Sequence, residues 1–152
     1  MGFSTPKILA SGVAAVLVVP ALIFLWAAFG AGLGASEAFG ALLAQYTVPR
    51  QNLGVVSLVG LLPVALLALV LWILRKLAPE DSRRPLLAAA GLAPVILVVA
   101  WIHHGFWTLY LPSRTYPGFP HGLEFVIGPL VFAPVGMAIS MVVARLVSRS
   151  RG

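Results

Sequence analysis

Residues 86–111 read LLAAAGLAPVILVVAWIHHGFWTLYL, and the placement of this stretch decides how the rest of the chain folds. Its 26 residues, wound as a helix, rise roughly 39 Å, which exceeds the roughly 30 Å of a bilayer's hydrocarbon core. The only ionisable side chains inside it are the adjacent His103 and His104, apart from the tyrosine at its end. The stretch therefore reads as a membrane-spanning helix. Ionisable groups are costly at membrane depth, so the two histidines form the first candidate site.

The remainder of the chain agrees. Of 152 residues, 61% are hydrophobic and 9% charged, and the mean hydropathy is +1.03; in soluble domains about a quarter of residues are charged. A formal net charge of +6 would suit nucleic acid, but ten basic residues scattered around apolar runs are what membrane topology produces, and no nucleic-acid partner is expected. There is no cysteine, which excludes disulfides, thiolate metal sites and cysteine nucleophiles.

Outward from residues 86–111, three more apolar runs cover about 8–29, 53–74 and 123–147. The fold expected is an all-α integral membrane protein, with four transmembrane helices in an up-down bundle forming one domain over 1–152. Every span holds proline: Pro20, Pro63, Pro94, and both Pro129 and Pro134. Each removes an amide donor and frees a carbonyl one turn earlier, and Ser57, Thr108 and Ser140 are the polar side chains at hand to receive it. Gly12, the Ala88 to Gly91 run, Gly128, Ala133 and Gly136 permit close approach between helices. In the first connection, Ser36 is placed to cap a short interfacial helix over about 36–47, with Phe39, Leu42, Leu43 and Tyr46 on one apolar stripe. In the link between the second and third spans, Glu80 and Asp81 face Arg83 and Arg84 in a solvated turn.

Basic residues are divided unequally between the two sides. Lys7, Arg75, Lys76, Arg83, Arg84, Arg145, Arg149 and Arg151 fall on one side, and only Arg50 and Arg114 on the other. By the positive-inside rule the first side is cytoplasmic. The expectation is a multi-pass protein of the cell's inner membrane with both termini in the cytoplasm.

On a helix, His103 and His104 point about 100° apart, so one small site does not take both. His103 shares a face with Trp107 and Tyr110, and this aromatic setting suits a cofactor held by His103 or His104: a haem, a chlorophyll-type pigment or a quinone headgroup. A metal would need His103 together with His121 and Glu124. Arg114, Tyr116, His121 and Glu124, grouped around a proline-rich outer connection, are candidates for ligand or partner contact. The plain alternative for both histidines is a neutral imidazole hydrogen-bonded to a neighbouring helix.

No nucleophile with its base, no paired carboxylates and no phosphate-binding glycine loop stands in the chain, which leans against an enzyme. The expected function is a non-catalytic accessory or structural subunit of a larger membrane complex, of respiratory or photosynthetic type for example. Its contacts would be lipids, other membrane subunits or copies of itself, with pigment, quinone or lipid against the third span. The alternative is an oligomeric small transporter or channel whose kinked helices line the path.

Overall fold

Apolar segments of this length can satisfy their amides without water only by bonding within themselves, and the chain does so as helix. The structure, a computed structural model, describes residues 4–47, 53–78, 81–108, 110–111 and 123–149, without the side chains of 45–47, 53–58 and 124. Helix α1 (Thr5–Leu25) widens into a π-helical turn at Trp26–Gly30. After a glycine-rich bend come α2 (Ala35–Thr47), α3 (Leu53–Leu77) and α4 (Arg84–Thr108). The last rod is α5 (Glu124–Ile127), a second π-helical turn at Gly128–Phe132, and α6 (Ala133–Arg149). No strand occurs among the described residues. Among the described residues four helical segments are long and apolar enough to cross a membrane: Thr5–Gly30, Val59–Leu77, Arg84–Thr108 and Phe125–Arg149. The protein is membrane-embedded and all-helical.

Helix α4 is the element against which the others pack. It contributes Leu87, Ala88, Gly91, Leu92, Val95, Val99, Ile102 and Trp107 to the interior, whereas α1 contributes three residues. Contacts of α1 with α4 run in the same direction along both helices, Gly12 with Leu92 and Phe24 with Trp107. Those of α4 with the last rod run in opposite directions, His103 with Phe125 and Ala90 with Ser140. The ends are thereby distinct. One carries Arg75 and Arg84, the other the histidines and most of the aromatic rings.

Glycine sets the spacing at α4. A Cβ at Gly91 would stand 2.6 Å from Leu67 Cδ1 and 3.1 Å from Met141 Sδ, and one at Gly136 would stand 2.9 Å from Cβ of Pro94. Both positions have room only for hydrogen, as helices that associate by close approach require. Four residues beyond Gly136, the Ser140 hydroxyl donates to the carbonyl of Ala90 at 2.7 Å, with Met137 O a second acceptor at 3.1 Å. Ala90 is the residue whose carbonyl Pro94 frees. One turn of α6 thus receives the proline ring and also satisfies the carbonyl it exposes.

Of the two other hydroxyls expected to receive a freed carbonyl, Thr108 acts locally. Thr108 donates to Gly105 O within its own turn, at 2.7 Å; the side chain of Ser57 lies outside the described residues. One local expectation is corrected. Helix α2 begins at Ala35, with the Gly34 carbonyl accepting the Ala38 amide (3.0 Å). Ser36 therefore sits inside the helix, and Gly34, whose φ of +87° suits glycine, stands where the cap was expected. The inward face of α2, against the Trp26–Gly30 turn, is Ala38, Ala41 and Leu42, while Phe39 and Leu43 of the apolar stripe are exposed; the Tyr46 side chain lies outside the described residues. At the link into α4, the carboxylate of Asp81 accepts the backbone N–H of Arg83 (2.9 Å), and Arg84 Nε donates to the Asp81 carbonyl (3.1 Å). The acidic side chain shapes the turn, as a short polar side chain beside free amides does; Glu80 lies outside the described residues.

If Ser140 serves the carbonyl freed by Pro94, the two residues are thermodynamically coupled. Ser140→Ala alone is expected to lower stability by about 1 kcal/mol. In a Pro94→Ala background, where position 94 regains its amide, the same change should cost markedly less. A double-mutant cycle on unfolding in detergent checks this, and equal costs in both backgrounds would disprove the coupling.

Candidate functional site

The aromatic end is built where α1 loosens and α4 terminates. Trp26–Gly30 form a wide turn closed by the Ala31 amide on Trp26 O (2.9 Å), and the Leu33 amide reaches Ala27 O (3.3 Å). The chain then bends through Gly32 and Gly34, both at positive φ, which glycine tolerates. This returns α2 across the end of α1. Ala27, Ala28, Leu33, Ala38, Trp107 and Leu111 form a second, smaller core under it.

The rings follow from that scaffold. Trp107, buried at the centre, meets Phe24 edge-on at 5.2 Å, and Phe24 meets Phe39 of α2 at 5.2 Å. On its other side Trp107 meets Phe106 (5.2 Å), which contacts Phe125 (5.5 Å). Phe125 in turn lies edge-on to His103 at 5.4 Å. An unbroken run of rings therefore crosses from α2 through α1 and α4 to α5. Edge-on pairs of this kind add about 0.5–1.5 kcal/mol each beyond burial.

The two histidines diverge, as their spacing predicts. His103 faces α5 and is half-buried, whereas His104 faces α1 and stacks on Trp26 at 5.0 Å with 25° between the planes. Among the described residues neither imidazole makes a hydrogen bond to a hydroxyl or a freed carbonyl; rings are what surround them. Tyr110 lies two residues beyond the end of α4, with its amide on Trp107 O (3.1 Å), and its ring rests against Phe106 (5.3 Å) and Trp107 (5.8 Å). Of the proposed cofactor residues, His103, Trp107 and Tyr110 thus belong to one ring cluster, joined through Phe106. His104 belongs to a separate pair with Trp26.

The remaining candidates fall elsewhere. Arg114, Tyr116 and His121 lie outside the described residues, and of Glu124 only the backbone, at the start of α5, is described. Among the described residues no three of His, Cys, Asp or Glu come together as a metal site would need. Sequence reasoning passed over Phe24, Trp26 and Phe125, which supply most of the ring contacts. Their signal was present in the sequence as aromatic residues of the first and fourth spans, at the same end of the bundle as the histidines.

Burial separates the rings energetically. Trp107→Ala is expected to destabilise by about 3–5 kcal/mol, while Trp26→Ala and His104→Ala, on a partly exposed pair, should each cost about 1 kcal/mol. Thermal unfolding in one detergent across the three variants measures this, and a loss at Trp26 as large as at Trp107 would refute the assigned centre. No family model, curated protein or solved structure matches the chain, so the geometry alone carries the functional reading.

Proposed function

We propose that this is a four-span up-down bundle of the inner membrane, serving as a non-catalytic accessory subunit of a larger membrane complex. Its interior is the observation that supports this. Leu67, Val95 and Pro63 are enclosed completely, and no buried residue among those described is charged, hydroxylated or a histidine. Among the described residues, a solute crossing a single copy would meet mostly hydrocarbon between the helices, with the Ser140 hydroxyl already engaged by the Ala90 carbonyl. The transporter alternative then needs a path between copies.

Outward, the spans present Leu17, Leu22, Leu97, Ile139 and Leu146, all more than half exposed. Such faces suit lipid or the apolar flanks of neighbouring subunits. The ring cluster around Trp107, with His103 at its edge, is the contact point assigned to a planar partner group such as a quinone or pigment ring. Helix α2, with Phe39 and Leu43 exposed, lies in the interface beside it. By the distribution of basic residues, the arginine end faces the cytoplasm and the ring end faces outward.

Purification of the tagged protein from its native membrane in mild detergent should yield co-migrating subunits in fixed stoichiometry. A homogeneous homo-oligomer that exchanges solute in proteoliposomes would overturn the accessory role. Separately, a cysteine introduced near Arg83 should resist an impermeant thiol reagent in intact cells, and rapid labelling there would reverse the orientation.

A further inference from the structure

We propose that a groove at the arginine end holds the headgroup and upper acyl chains of an anionic phospholipid. The groove, of about 720 Å³, opens between the first turn of α1, the last turns of α3 and the start of α4. Its lining changes character along its depth. Leu9, Leu71 and Trp72 form the part toward the middle of the spans, and Arg75, Ser82 and Arg84 form the rim. From Ala68 to Arg75 the lining follows α3 for about 10 Å of helical rise. That depth passes from headgroup level into the acyl region.

Charge selects the occupant. Among the described residues Asp81 is the one carboxylate on the lining, and its Oδ1 already accepts the Arg83 amide. Arg75 and Arg84 stand beside it, and Lys76 extends over the Trp72 ring at 5.7 Å. Neither α1 nor α4, whose N-terminal ends border the groove, has an acidic residue in its first turn, so both dipoles add to the positive potential. Arg84 Nε already donates to the Asp81 carbonyl, so Arg75 is the cation on which the selection rests; a phosphodiester with a net negative charge complements this end, and a choline headgroup would set a further cation against it. A free phosphate would leave the apolar part wet, which is why a lipid, with chains to cover Leu9 and Leu71, is the occupant. The proposal requires membrane embedding but not the accessory role, and stands or falls whatever complex the protein joins.

The test is native mass spectrometry of the detergent-purified protein titrated with phosphatidylglycerol or phosphatidylcholine. Phosphatidylglycerol should bind as a single retained adduct more tightly than phosphatidylcholine. Arg75→Gln, at an exposed helix end where folding is insensitive, should weaken phosphatidylglycerol about fivefold. Arg149→Gln, which removes an equal charge from α6 outside the groove, should leave binding unchanged. Equal binding of the two lipids, equal weakening by the two variants, or displacement of the lipid by glycerol phosphate at matching concentration would each overturn the proposal.

Discussion

The bundle depends on what happens to one backbone carbonyl. Pro94 stands mid-way along α4, the helix with most neighbours, and it leaves Ala90 without its usual donor. In a hydrocarbon environment no water compensates, and an unsatisfied carbonyl there costs several kcal/mol. The Ser140 hydroxyl meets it from α6, and Gly136, one turn earlier, makes room for the ring that caused the loss. The defect in one helix and the cleft in the other are matched in position. This fixes both the rotation and the height of α6 against α4, and the interior of Leu67, Val95 and Met137 closes around that registration.

From α4 the rest can be followed outward. Gly91 brings Leu67 of α3 close, and Gly12 of α1 accepts Leu92. With three helices seated, the two ends acquire different chemistry. At one end α1 loosens, α2 folds back, and rings from four helices meet around Trp107. At the other end, α1, α3 and α4 diverge enough to leave a groove under two arginines. Both ends therefore follow from packing set near the centre.

The spans were legible in the sequence because length and hydropathy alone determine them, the stretch at 86–111 being observed as Arg84–Thr108; the short helix expected at 36–47 is observed as Ala35–Thr47. The role of Ser140 was legible as well, since a hydroxyl on a span next to prolines has few other uses in lipid. The cap of α2 was not. Gly34 caps through its carbonyl and a positive φ, and glycine, having no side chain, leaves no polar signature, whereas Ser36 does. Nor was the partner of each histidine. Helical spacing fixed that His103 and His104 diverge, but that Trp26 meets one and Phe125 the other depends on how neighbouring helices are rotated, which no single segment encodes.

The π-helical turn at Gly128–Phe132 bears on that rotation. Phe125, Pro129, Ala133 and Met137 are all buried, four residues apart each time. In a regular α-helix such a series would creep around the axis by about 40° per step and swing off the interface within three steps. A widened turn takes up part of that drift. The last rod can thus stay seated along its length without winding around its neighbour, so that its two halves keep one seam on a nearly straight path.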